Sequence, residues 1–265
     1  MPTSIILIFV FVFGLIIGSF LNCLIWRLYK KESLLNRSYC PKCGKQIAWY
    51  DNIPVVSFLI LGGKCRRCGK SISAQYPVVE LITGLLFVVA YNLNYELRIM
   101  NYGVIIHDSL FIIQLVRDWF IISVMIVVFI YDLRWSEILD KVSLPACLAV
   151  FIMNLALGFN LWNLLISGII GGSFFLIQFV ISGGKWIGGG DIRLGLLMGL
   201  ALGWPVVILA IIISYFIGSI VGVGLILAGK KKWGSEVPLG VFLAIGSIIS
   251  LFWHAQILNW YLGML

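Results

Sequence analysis

Apolar residues dominate the chain in long blocks, and the polar positions that interrupt them recur at regular distances. Runs of about 18 or more apolar residues, enough to cross a hydrocarbon core about 30 Å thick, appear repeatedly from Ile5 onward. The pattern predicts eight helical spans, at approximately 4–28, 77–97, 110–131, 142–159, 161–182, 192–203, 205–229 and 237–260. The sixth stops short at Gly203-Trp204-Pro205, a combination that favours a turn. Between the second and third spans, 94–117 mixes Glu96, Arg98, His107, Asp108 and Arg117 with apolar residues. It reads as an outer loop with an interfacial helix whose charges form a solvated face, and His107 is assigned no catalytic role. Small residues at Gly14 and Gly18, in 167–173 and in 218–224 read as close helix contacts.

Composition agrees with this reading. Of 265 residues, 61% are hydrophobic and only 11% charged, against about 25% charged in a typical soluble domain. The distribution of charge says more than the net +8: ten Lys or Arg face two acids, Glu32 and Asp51, within 27–75, and the rest of the chain is balanced. A basic segment could bind nucleic acid, but directly after a membrane span it reads as a cytoplasmic loop obeying the positive-inside rule, so no nucleic-acid partner is expected. The first span has no basic residue ahead of its apolar core and carries its positive flank after it. That arrangement predicts a retained span with the N-terminus outside, not a cleaved signal peptide. Alternation then places Arg134 with Lys141, Lys185 with Arg193, and Lys230, Lys231 and Lys232 on the inside.

Four of the six cysteines stand as Cys40-Pro41-Lys42-Cys43 and Cys65-Arg66-Arg67-Cys68, each pair followed by Gly, with 21 residues between the pairs. Two such turns aim four sulfurs at one ion, the usual structural zinc arrangement, and a reducing cytoplasm argues against disulfides. With every position filled by sulfur, the metal is structural and not catalytic. A domain of this size buries little core, so the ion supplies folding energy. Cys23 and Cys147 fall in apolar spans and read as packing residues.

Acids near spans are few: Glu80, Asp132, Glu137, Asp140, Asp191 and Glu236. Asp132 and Asp191 stand out, because alternation places both at cytoplasmic helix ends where they could meet. Paired carboxylates can hydrolyse a peptide bond, one taking a proton from water while the other donates one. Gly188, Gly189 and Gly190, directly before Asp191, give a substrate backbone room to approach and permit dihedrals closed to other residues. An Asp N-cap on a Gly-rich helix start explains the same residues, and spacing alone does not choose between the two readings.

These residues together resemble the type IV prepilin leader peptidases of the GxGD aspartic protease group. The likeness rests on Gly18-Ser19-Phe20-Leu21-Asn22 with Trp26-Arg27-Leu28, the four-cysteine loop with Asp51-Asn52-Ile53-Pro54, Tyr76-Pro77-Val78-Val79-Glu80, Gly188-Gly189-Gly190-Asp191 with Leu194, and Pro238-Leu239-Gly240. It implies a bacterial inner-membrane enzyme that removes the short basic leader of prepilins or pseudopilins on the cytoplasmic side, serving type IV pili or type II secretion. Members of this long form commonly also N-methylate the new terminus with S-adenosylmethionine. By position the resemblance makes Asp132 and Asp191 catalytic and Cys40, Cys43, Cys65 and Cys68 metal ligands. It matches Glu80 to a recurrent acid without assigning it a role. Three departures are plain: Leu139 stands where the family has Pro, Glu137 occupies an apolar position, and Arg193 replaces Lys.

The expected architecture is an all-α polytopic membrane protein of about eight transmembrane helices. It comprises a first helix (1–28), an inserted cytoplasmic zinc domain (29–76) and a peptidase core (77–265). Two rivals make different demands. An ion-coupled transporter requires acids near the bilayer midplane and an internal repeat, neither of which the sequence shows. A noncatalytic assembly scaffold leaves the aspartate pair without a purpose.

Overall fold

The computed structural model describes residues 3–100, 108–230 and 237–263, with the side chains of 3, 97–100 and 108 left aside. His107, Lys231, Lys232 and Glu236 lie outside the described residues. Among those described the chain is helical throughout, with nothing more sheet-like than two isolated bridges. In order the helices are α1 (Thr3–Lys30), α2 (Val56–Ile60), α3 (Gln75–Met100), α4 (Asp108–Trp135), α5 (Asp140–Ala156), α6 (Leu161–Ser182), α7 (Gly189–Leu202), α8 (Val206–Leu227) and α9 (Leu239–Leu262).

Every one of the eight apolar blocks is a helix, but six are long and apolar enough to cross a membrane: α1, α3, α4, α6, α8 and α9. With 17 and 14 residues, α5 and α7 rise only about 26 and 21 Å, short of a 30 Å core. The turn expected at Gly203 ends α7, with Gly203 at φ +73° and the Trp204 N–H donating to Asn163 Oδ1 (3.1 Å).

Burial runs opposite to that of a soluble bundle. On α6 the buried face is built from Leu164, Ser167, Gly168, Gly171 and Phe175, while Ile166, Ile169, Ile177, Val180 and Ile181 are exposed. Small residues inside and large apolar ones outside is the arrangement that lipid selects, because helix contact there depends on close approach rather than on expelling water.

The chain divides into two compact units, Met1–Tyr102 and Gly103–Leu265. In the first, α1 packs along α3 at glycine contacts: a Cβ on Gly14 would sit 2.7 Å from Gly84 Cα, and one on Gly18 would sit 2.7 Å from Glu80 Cα. The Gly14/Gly18 expectation therefore holds. In the second, Gly171 and Gly195 press on each other's carbonyls and Gly199 on that of Ser167, so 167–173 behaves as expected. The 218–224 stretch does not: Gly218 faces the Phe242 ring, but nothing lies within 4 Å of a Cβ on Gly222 or Gly224. Glycine in a membrane helix marks a contact only when a partner helix passes it, and among the described residues none passes these two.

The reading of 94–117 as a solvated face also needs correction at its end. Arg117 is buried against Asp118 (2.6 Å) and donates to Asn154 Oδ1 (3.1 Å). A charge at that depth is held by a partner, where a surface charge would need only water.

Candidate active site

In the first unit each Cys-x-x-Cys pair forms the same knuckle. Gly44 N–H donates to Cys40 O (2.8 Å) and Cys40 N–H to Lys45 O (2.9 Å). In the second knuckle Gly69 N–H donates to Cys65 O and Cys65 N–H to Lys70 O, both at 2.9 Å. Gly44 and Gly69 take positive φ (71° and 68°), which explains a glycine after each pair. The four sulfurs lie within 4.8 Å of one another, with Cys40 and Cys68 Sγ atoms 4.0 Å apart. A tetrahedral ion with metal–sulfur bonds of about 2.3 Å needs sulfurs about 3.8 Å apart, so slight contraction completes the sphere. Backbone N–H groups of Cys68 and Arg67 hold the Cys65 thiol down to about 6, while burial and the neighbouring sulfurs push the Cys68 thiol up to about 11, so the first negative charge of the cluster settles on Cys65. All six cysteines are free thiols.

The remaining motif residues of this unit hold the knuckle loop in place. Arg27, buried at the end of α1, donates to the carbonyls of Ser33 (3.0 Å), Leu34 and Asn36, closing the turn that leaves the helix. Asn22 Nδ2 donates to Tyr76 O (3.1 Å) and Gln75 Nε2 to Asn22 Oδ1 (3.2 Å), which ties α1 to the start of α3. Asp51 forms an ion pair with Arg66 at 2.8 Å. The purpose of Glu80 is visible only in three dimensions. Its buried Oε2 accepts the Val55 N–H (2.8 Å), and Val55 is a non-glycine residue held at φ +61°. A buried carboxylate that pins an unfavourable turn is a structural anchor.

In the second unit Asp132 lies one turn from the end of α4 and Asp191 is the third residue of α7; both are buried. Neither stands midway along a full-length span, as a transporter's acids would. Asp132 Oδ2 accepts the Val241 N–H (3.1 Å) from the start of α9, 109 residues away in sequence. A free helix N-terminus favours the charged carboxylate there. Asp191 Oδ2 accepts the Gly188 N–H (2.9 Å), so the N-cap-like use of this acid is real. It does not exhaust the residue, because Asp132 lies within electrostatic range of Asp191. Ile138, in the turn between α4 and α5, is wedged between the two sites. A Cβ on Gly190 would lie 2.8 Å from Ile138 Cβ, and one on Gly240 would lie 3.1 Å from Ile138 Cδ1 and 2.8 Å from Asp132 Oδ2. An Asp140–Arg193 ion pair joins the start of α5 to α7 just beyond the acids.

The three glycines before Asp191 divide their work. A Cβ on Gly189 would meet open space and one on Gly188 the Asp191 carboxylate at 3.6 Å and the Gly190 nitrogen at 4.0 Å, whereas Gly190 is packed tight. None of the three has positive φ, so space, and not an unusual dihedral, is what they provide.

Sequence reasoning passed over two features. Gly240, named only as part of a late motif, gives Asp132 clearance, and Val241, the residue after that motif, supplies its donor; the signal was a glycine at a helix start. Asn154, fully buried, donates to Leu200 O (2.6 Å) and so holds the far end of the helix that carries Asp191. An Asn within an apolar span was the available hint.

The fold and site define a class: a polytopic helical membrane protein with two buried carboxylates at helix ends and a separate Cys₄ knuckle unit. Family comparison makes this particular. Residues 12–93 match the bacterial peptidase A24 N-terminal domain and residues 119–223 the type IV leader peptidase family. Among similar proteins are those named prepilin leader peptidase/N-methyltransferase from Aeromonas salmonicida (31% identity, 96% of this chain, 93% of the relative), Pseudomonas aeruginosa (30%, 94% and 91%) and Bacillus subtilis (30%, 96% and 97%). The chain belongs to the type IV leader peptidase family. No solved structure matches it significantly.

Proposed function

We propose that this protein cleaves the leader from prepilins or pseudopilins at the cytoplasmic edge of the bacterial inner membrane, with Asp132 and Asp191 as the catalytic pair. One observation carries the reading: two buried carboxylates from different helix ends share one electrostatic neighbourhood beside an open glycine position, whereas the other buried acid of this unit, Asp118, is held by Arg117. The ionised member takes a proton from water as its oxygen attacks the scissile carbonyl carbon, and the protonated member donates to the carbonyl oxygen. Collapse of the tetrahedral intermediate breaks the C–N bond, and the amine leaves with the proton drawn from water. The pair acts as one titrating unit.

The basic residues support the orientation. Arg27 and Lys30 end α1, Arg134 lies in the last turn of α4, and Arg193 is in the first turn of α7 close to Asp191, which fits a cytoplasmic site and a cytoplasmic knuckle unit. We assign the Cys₄ cluster a structural Zn²⁺, held by Cys40, Cys43, Cys65 and Cys68.

N-methylation of the newly exposed amine is part of the same reading, supported by the names of the full-length relatives, and we assign S-adenosylmethionine as the methyl donor. Among the described residues no cradle for an adenosyl group identifies itself. A groove of about 340 Å³ on α9, lined by Ile249, Trp253, Gln256, Ile257 and Trp260, offers no charge to the donor's amino-acid end, so methyl transfer is assigned to no residue.

Mass spectrometry of a prepilin incubated with the purified protein tests the reading. Loss of the leader is expected, abolished in Asp132→Ala and in Asp191→Ala; unchanged cleavage in both would overturn the aspartyl mechanism. Addition of S-adenosylmethionine should add the mass of one methylene to the mature chain.

A further inference from the structure

A substrate cut at the end of its membrane helix has to open that helix first. An opened segment at lipid depth exposes backbone N–H and C=O groups, each costing several kcal/mol if left without a partner. The enzyme therefore needs polar groups beside the carboxylates, on a face that a helix can reach from the lipid.

The hydroxyls of Ser173 and Ser182 on α6, and of Ser214 and Ser219 on α8, donate to carbonyls of their own helices. Gln178 and Tyr215 differ: the Tyr215 hydroxyl donates across from α8 to Gln178 Oε1 on α6 (2.9 Å). Both side chains are partly exposed, Tyr215 at 36%, and Phe174 covers the tyrosine ring edge-on.

Their level along the bundle follows from the antiparallel register of α6 and α7. Gly171 meets Gly195, and Ser167 with Gly168 meets Gly199, so one helix advances as the other retreats by the same number of residues. Continued toward the other end, this register sets Gln178 beside Gly188 and Gly189, the open turn that leads into Asp191. Tyr215 lies within electrostatic range of Asp191, in agreement with that placement.

We propose that Gln178 and Tyr215 form a backbone-binding subsite for the first residues of the mature pilin segment, where its helix opens next to the carboxylates. The inference rests on the peptidase reading above. Gln178 Nε2, held by a long 3.3 Å bond to Phe174 O, is the donor for a substrate carbonyl. Tyr215 Oη gives its hydrogen to Gln178 and keeps lone pairs for a substrate N–H. Because the contacts are to backbone, the subsite tolerates different side chains while requiring an unwound segment.

The test is steady-state cleavage of a full-length prepilin by the whole protein in lipid nanodiscs, comparing Tyr215→Phe and Gln178→Leu with the unaltered chain. Each should lower kcat/KM by about threefold to tenfold, the worth of one hydrogen bond. A merely structural role is separated by a second substrate carrying an ester in place of the first peptide bonds of the mature segment, which removes the N–H. The ester should slow the unaltered protein and slow Tyr215→Phe no further. The inference is overturned if both variants keep kcat/KM within twofold, or if the ester slows Tyr215→Phe as much as the unaltered chain. If the unaltered protein leaves the prepilin intact, the peptidase reading fails and takes this one with it. Cleavage with insensitive variants removes the subsite alone.

Discussion

Both units bury carboxylates, and they use them differently. Glu80 stands alone in the first unit and accepts the N–H of a turn held at positive φ, so its charge is spent on holding the knuckle loop. Asp132 and Asp191 each accept an N–H at a helix start, and Asp191, two residues after the open Gly189, also lies in the field of Asp132. Burial alone therefore does not mark a catalytic acid. On the proposed reading, what separates the two cases is a second acid nearby and open space at Gly189.

The sharpest way to break this contrast is to neutralise each acid in turn. Asp132→Asn or Asp191→Asn should lower kcat for leader removal about 10³-fold or more, since general acid–base catalysis is worth about 10²–10⁴. Equal loss in Glu80→Gln would erase the distinction. Next in size is Gly240→Ala, whose new Cβ would lie 2.8 Å from Asp132 Oδ2. The carboxylate has to move, and a misplacement near 1 Å can cost about 10²-fold, so kcat should fall while KM changes little. In the first unit, Cys40→Ser should bring bound metal to background by elemental analysis and open 29–76 to protease. The aspartate chemistry should persist at a lower rate; full metal content would reject the Cys₄ assignment. Glu80→Ala leaves the Val55 N–H without its partner, at about 1–3 kcal/mol. Faster proteolysis within 49–60 and retained cleavage are expected. Smallest of all is Leu139→Pro, which restores the family's residue. Leu139 already has φ −80°, close to the value proline imposes, so turnover should stay within about twofold.

The parts legible in advance were those written locally. All eight apolar blocks are helices, and both Cys pairs with their trailing glycines form knuckles. The number of full crossings was harder to read: α5 and α7 are largely apolar yet too short to cross. Arg117 read as a solvated charge because it closes a segment that also carries Glu96, Arg98, His107 and Asp108, while one of the residues that hold it, Asn154, lies 37 positions away. Gly222 and Gly224 looked like contact glycines since composition cannot say which side of a helix has a neighbour.

The sequence by itself determined the helical blocks, the two knuckles and the short set of acids open to chemistry, since each depends on hydropathy, chirality or spacing within a few residues. Only the tertiary structure decided which acids lie near one another. It set Val241 on Asp132, Ile138 between Gly190 and Gly240, Val55 on Glu80, and Tyr215 on Gln178. Those choices depend on register between helices far apart in the chain, and register is set by which small residues let two backbones approach.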